Sequence, residues 1–469
     1  MRIFNTETRT KEEISSPDGH IKMYTCGPTV YNFAHIGNFR TYIFEDLLRR
    51  TLKFFGFQVT QVMNITDIDD KTIRGAIEKQ ITLKEYTDPY TEAFFQDLKT
   101  LNIEKVEYYP HATDYIPQMI TLIQKLLDEK VAYKGADGSI YFSITKFPTY
   151  GRLSHLKLDE LKCGASERVS TDEYDKDHLA DFVLWKAYDP ARDGKIYWES
   201  PFGPGRPGWH IECSAMAMDL LGPTIDIHVG GVDNMFPHHE NEIAQSEACT
   251  HQRFVRYWLH AEHLLVDHKK MSKSLGNFYT LRDLLKRGYT GPQIRYMLLQ
   301  THYRTQLNFT FEGLDAAAKS LERISDFISR LRAIDSTGTD HSAAPFILAA
   351  KEKFTLALAD DLNISVALAA LYDFIRDINT LCDTSQVGRH DAQKILSFLE
   401  ILDRVLGVLP LAPSAEEIPA DLLALLASRQ KARAEKDWKK ADSCRDELIS
   451  RGYLIEDTPS GARLKRIKV

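Results

Sequence analysis

What most limits the fold open to this chain is an alternation. Short apolar runs at 21–25, 58–63 and 224–229 are separated by segments with helical periodicity. That order belongs to a doubly wound parallel sheet, an α/β fold in which each strand hands the chain to a crossover helix. The first run continues as Cys26-Gly27-Pro28-Thr29-Val30-Tyr31, stopping at Gly and Pro, and His35 and Gly37 then open a helical segment. A strand, a tight turn and a helix start form an anion site, because free backbone N–H groups and the helix dipole face the ligand. His35 can donate to a phosphate there, and Gly37 lets a flat base lie against the backbone. The run at 58–63 leads into Asn64-Ile65-Thr66-Asp67, at the carboxyl edge where such sheets bind ligands.

Far downstream of His35-Ile36-Gly37-Asn38 comes Lys270-Met271-Ser272-Lys273-Ser274, two lysines and two small hydroxyls on one loop before Gly276-Asn277. That composition suits a mobile clamp on a triphosphate and its leaving pyrophosphate. A third constellation has the chemistry of a metal site. On a helix beginning after Pro237, His238 and Glu242 are four residues apart and share a face, and Cys213 can add a thiolate. Cys26, at the end of the first strand, would be the fourth ligand. His228, His239 and Glu240 have the same chemistry and stay open as alternatives.

Taken together, the segments TCGPTVYNFAHIGN (25–38), NITDIDDKTI (64–73), GWHIECSAM (208–216), DIHVGGVDNMFPHHENEIAQSEA (226–248) and KMSKSLGNF (270–278) resemble the cysteinyl-tRNA synthetases, a class I aminoacyl-tRNA synthetase family. The stretch 436–466 is similar to the end of the bacterial enzymes. The resemblance implies formation of cysteinyl-adenylate from cysteine and ATP, then transfer of cysteine to the terminal ribose of tRNA(Cys). It implies one zinc held by Cys26, Cys213, His238 and Glu242, which binds the substrate sulfur, and magnesium carried by ATP. It puts Trp209 against the substrate side chain and Thr66 and Asp233 near its ammonium group, with Gly27 also on the amino acid. His35, Asn38, Lys270 and Lys273 become the catalytic candidates, and Pro28, Thr29, His35, Gly37, Asn38 and Lys273 the ATP contacts. One departure stands out: Asn38 occupies a position where many class I enzymes have a second histidine. Two rivals follow from the same residues: a shorter ATP-dependent ligase that passes cysteine to a small amine, and a non-catalytic zinc and RNA-binding relative.

Charge bears on the RNA reading. The net charge is −7, but residues 429–469 hold twelve Lys or Arg against seven Asp or Glu, a local +5. A basic appendage on an acidic body is the footprint of an end that grips a phosphate backbone. The six cysteines, at 26, 163, 213, 249, 382 and 444, include no CxxC pair, which predicts a reduced, cytoplasmic protein. No apolar run is long enough for a membrane span, and the first residues lack a secretory core. Punctuation predicts a Rossmann-like catalytic domain in two halves, 1–125 and 206–262, split by an inserted subdomain at 126–205. Amphipathic runs at 314–334, 346–358, 366–381 and 392–406 predict a helical bundle, assigned to 346–410 and bounded by linkers at 335–345 and 409–419. The resemblance makes 263–345 a lysine-loop and stem-contact region and 411–469 a small mixed anticodon-recognition domain. A monomer is expected from the resemblance.

Overall fold

The computed structural model describes residues 1–156, 181–272, 274–335, 343–411, 419–458 and 461–466. At its centre are four strands, β1 (His20–Thr25), β2 (Gln58–Met63), β3 (Ile225–Gly231) and β4 (Val255–Ala261), in the order β4-β3-β1-β2. Every neighbouring pair is parallel, with Met23 beside Ile227, Thr25 beside Met63 and Ala261 beside Gly231. Ile21, Met23, Ile225, Ile227 and Val229 are fully buried. Burial of both faces is why these strands read as continuous apolar runs rather than alternating ones. The order reverses between β1 and β3, so a crevice opens beyond their carboxyl ends. Gly27 lets the chain leave β1 there: a Cβ at that position would lie 1.7 Å from the Asn64 carbonyl oxygen. Its N–H donates instead to Asn64 Oδ1 at 2.9 Å.

Between β1 and β2 runs helix α1 (Ile36–Phe54), which buries charged as well as apolar residues. Arg40 donates to the carbonyls of Leu298, Thr301 and His302. Asp46 accepts from Arg50 at 2.7 Å and from the fully buried Arg295 at 2.5 Å. Arg295 also donates to the carbonyls of Leu101, Asn102 and Leu406, tying α1 to the end of a helix more than a hundred residues later. Helices α2 (Trp209–Leu221) and α3 (Glu240–Thr250) pack on one another.

Between the two halves of the sheet lies an antiparallel sheet of Ala132–Lys134, Ile140–Phe142, Phe182–Ala187 and Gly205–Pro207. Its first two strands form a hairpin around Gly135–Gly138, closed by Gly135 N–H donating to Ser139 O. The helices expected at 314–334, 346–358, 366–381 and 392–406 are found as Phe311–Arg332, Ala344–Ala359, Ile364–Asp383 and Arg389–Leu406. The described chain divides into two compact units, Met1–Leu409 and Pro410–Val469. The second has helices Ala420–Ala434 and Trp438–Ser450, a hairpin of Tyr453–Thr458 with Gly461–Arg466, and a core of Leu422, Leu426, Leu448 and Leu464. The middles of the two predicted linkers, 336–342 and 412–418, lie outside the described residues. Among the described residues no helix is long and apolar enough to cross a membrane.

Candidate active site and metal centre

Beyond β1 and β3 opens a cleft of about 370 Å³ whose walls include Gly27, Pro28, Thr29, Gly37, Lys270 and Met271. The two lysine- and histidine-bearing signatures meet in it. Ile36 N–H donates to Tyr279 O at 3.0 Å, and the His35 ring packs edge-on against Phe278. A Cβ on Gly37 would lie 3.0 Å from the His35 ring and 3.2 Å from Met271 Cε, so a side chain there would crowd this corner. His35 caps α1: its Nδ1 accepts from Asn38 N–H at 3.1 Å, and Asn38 Oδ1 accepts from His35 N–H at 3.1 Å. A bond from His35 to a phosphate would therefore have to come from Nε2. Asn38 thereby closes the first turn of the helix. Lys273 lies outside the described residues.

Deeper in the cleft, ligand atoms of Cys26, Cys213, His238 and Glu242 all lie within 4.8 Å of one another, and all four residues are buried. Cys26 reaches the site from the end of β1, Cys213 from α2 and Glu242 from α3. His238 comes from an irregular helical turn at Met235–His239, interrupted at Phe236, rather than from a regular helix starting at Pro237. A second set, Cys26, His228, His239 and Glu242, meets the same distance limit. Hydrogen bonding separates the two. His239 donates or accepts at both nitrogens, to Cys26 Sγ at 3.3 Å and to His260 at 2.8 Å, while His228 Nε2 pairs with Glu242 Oε2 at 2.9 Å. Those two histidines thus orient the thiol and the carboxyl, as outer partners of metal ligands do. His238 Nε2 faces Glu242 Oε1 at 3.1 Å without hydrogen-bond geometry, and that oxygen has no hydrogen-bond partner among the described residues. A buried, unpaired carboxyl oxygen beside two sulfurs and an imidazole nitrogen is a donor set that fits zinc. Glu240, the other carboxylate on this segment, accepts from the N–H groups of Gly151, Leu153 and Ser154, and so anchors a loop.

Burial fixes the charge of this pocket. It pushes the Glu242 carboxyl and the Cys213 thiol well up. The hydrogen bond from Cys213 lowers Cys26, yet burial and Glu242 outweigh it and the net shift is upward. His228, His210 and His260 are driven down by burial to about 3, and His238 and His239 well below the ordinary imidazole value. Burial thus disfavours charge on the thiols, the carboxyl and the imidazoles alike, and a dication bound among them would offset that cost for the thiols and the carboxyl.

Trp209 stacks on the His238 ring, with centroids 4.1 Å apart, and lines the cleft. Thr66 is also on the wall, where its hydroxyl donates to Glu212 at 2.9 Å and accepts from Asn64 at 3.1 Å. Asp233 sits at the rim, exposed, with its carboxylate 3.3 Å from His263. Sequence reasoning overlooked His263 and His260. Only the register of β3 against β4 brings them to the site, although both lie on the segment that leads into the lysine loop. Exposed Trp438, between Lys436 and the pair Lys439 and Lys440 on the second unit, was also overlooked. An aromatic residue amid lysines was the signal available for it.

Comparison with known proteins identifies the family. The family "tRNA synthetases class I (C) catalytic domain" matches residues 13–319, the "DALR domain" matches 353–410, and the "Cysteinyl-tRNA ligase anticodon binding domain" matches 415–463. The cysteine–tRNA ligase of Protochlamydia amoebophila is 64% identical over 99% of this chain and 98% of its own length. That of Chlamydia felis is 59% identical over 100% of this chain and 98% of its own. Among solved structures, the methionyl-tRNA synthetase of Mycobacterium tuberculosis with methionyl-adenylate shares the fold at a TM-score of 0.61 and 13% identity. It covers 87% of this chain and 94% of that one. The chain belongs to the cysteine–tRNA ligases, a family of class I aminoacyl-tRNA synthetases.

Proposed function

We propose that the chain joins L-cysteine to ATP as cysteinyl-adenylate, releasing pyrophosphate, and passes the cysteinyl group to the terminal ribose of tRNA(Cys). One observation carries this reading: both signature segments and a soft donor set converge on a single cleft at the carboxyl edge of the sheet. The attacking carboxylate of cysteine needs no general base, so the residues have to position reactants and stabilise charge. Backbone N–H groups at the start of α1, with His35, take the ATP phosphates, and Gly37 leaves room for the base. Pro28 and Thr29 line the ATP side, Asn38 holds the helix start, and Lys270 and Lys273 meet the charge that builds on the departing pyrophosphate. Magnesium is read as arriving with ATP.

Cys26, Cys213, His238 and Glu242 would hold zinc. Bound there, zinc supplies a soft Lewis acid that lowers a thiol's pKa and prefers sulfur over the hydroxyl of serine. Trp209 walls the side-chain pocket, while Gly27, Thr66 and Asp233 bound the space for the amino and carboxylate groups. The matches at 353–410 and 415–463 favour an RNA acceptor over a small amine. Residues 346–410 are read as the bundle and 411–469 as the anticodon-reading domain, with 126–205 inserted over the cleft and 263–345 leading to the stem. Because every proposed contact to cysteine, ATP and zinc comes from one chain, we read the protein as a monomer, and its buried thiols suit the reducing cytoplasm. The test is cysteine-dependent ATP–pyrophosphate exchange on purified protein, with metal content measured in parallel and tRNA(Cys) charging as the second step. Exchange that depends on cysteine, is indifferent to serine and accompanies one zinc per chain is expected; exchange without zinc would overturn the metal's role.

A further inference from the structure

β3 and β4 end in step. Ala261 lies beside Gly231 in the parallel register, so the residues two positions beyond each, His263 and Asp233, come together at the rim of the cleft. His263 Nδ1 is 3.3 Å from Asp233 Oδ2, with side chains 35% and 73% exposed. The histidine is held by its backbone: its carbonyl accepts from Leu307 N–H at 3.2 Å, and its own N–H donates to Glu262 Oε1 at 3.1 Å. Three charged groups face the imidazole. They are Asp233 from the turn after β3, Glu262 from its own segment, and Lys270 from the short strand Lys269–Lys270.

We propose that His263 is a positioning residue which occupies the Asp233 carboxylate until the ammonium group of the amino-acid substrate takes that carboxylate over. This rests on the reading of Asp233 as the ammonium's counter-ion. The imidazolium and the substrate ammonium are like charges competing for one carboxylate, so the arriving substrate must displace the first to pair with the second. The hydrogen bond to Asp233 raises the His263 pKa, with burial and Lys270 opposing and Glu262 assisting, so the protonated pair persists above the ordinary imidazole range. When the ammonium binds, His263 loses its partner and gives its proton to solvent. Binding is therefore linked to proton release: the competing pair is present below the raised pKa and lost as pH rises through it.

The experiment measures KM for cysteine and for ATP by pyrophosphate exchange with full-length, zinc-loaded protein, from about pH 6 to about pH 8, across the histidine range. Wild type is compared with His263→Gln and His263→Arg. Wild-type KM for cysteine should fall by roughly two- to fivefold more over that range than KM of His263→Gln, the scale of a partly exposed ion pair. The glutamine variant keeps only the pH dependence of the substrate and the metal site. His263→Arg should show a KM for cysteine raised at every pH and running parallel to that of His263→Gln. In both variants kcat and KM for ATP should stay close to wild type, a split that a merely structural role would not produce. Superimposable KM profiles for wild type and His263→Gln, or a loss in kcat with KM unchanged, would overturn the proposal. Absence of cysteine-dependent exchange in the wild type would defeat the broader functional reading instead.

Discussion

Cys213 comes from α2 and meets Cys26, His238 and Glu242 from elsewhere in the chain, so its loss should remove a ligand and a packing atom together. Cys213→Ser should weaken zinc binding by more than about 100-fold, beyond what loss of an outer-shell partner costs, and abolish cysteine-dependent exchange. Metal analysis after dialysis and the exchange assay check this, and full zinc with normal exchange in the variant would refute the ligand assignment. Lys273 makes a different demand. In the proposed role its charge is needed where charge develops, so Lys273→Ala should lower the rate of adenylate formation by roughly 100- to 1000-fold, with a far smaller effect on ground-state ATP binding. Single-turnover kinetics against equilibrium ATP binding separate the two, and equal losses would make the lysine a plain binding residue. Asn38 teaches a related lesson. A catalytic and ATP-contact candidate from the resemblance, it is engaged in a reciprocal cap with His35 that fixes the start of α1.

At the scale of elements, α1 explains what the sequence concealed. Its arginines and acids would be written onto a solvent face by pattern alone, yet Arg40, Glu45, Asp46, Arg49 and Arg50 are buried. Most of them are kept there by partners distant in sequence, which no local window contains. Arg295→Leu should strip Asp46 of one of its two cations and leave the carbonyls of Leu101, Asn102 and Leu406 short of a donor. A cost of about 3 to 5 kcal/mol is expected from breaking such a buried pair. It can be read by denaturant unfolding of the 1–409 unit, and a change under about 1 kcal/mol would show that Arg50 alone satisfies Asp46. By contrast, three of the four strands of the sheet and the four later helices were legible to within a few residues, because apolar period and turn residues act locally, whereas β4 was not singled out. The proposed ligand set was only partly nominated by the sequence. Side-chain chemistry nominated seven residues, but only hydrogen bonding in three dimensions separates His238 from His228 and His239, and Glu240 from Glu242.

For the whole molecule, the division at Leu409 and Pro410 separates the proposed adenylating machinery from the basic terminal unit. Deleting 411–469 should leave pyrophosphate exchange within about twofold of wild type. Charging of tRNA(Cys) should fall steeply, and the residual RNA affinity should depend less on salt, because fewer counterions are released. Undiminished charging by the truncated protein would show that the terminal unit does not hold RNA. The metal donors have a consequence of another kind. Cys26 and Cys213 stand at opposite ends of a loop that contains β2 and the inserted antiparallel sheet, so one ion gripping both would staple that loop shut without a disulfide. Binding free energy at the site would then also be tertiary stability. Chelation should lower the melting temperature of the first unit as well as silence cysteine activation, and Cys213→Ser should melt at the lowered temperature with no further response to chelator.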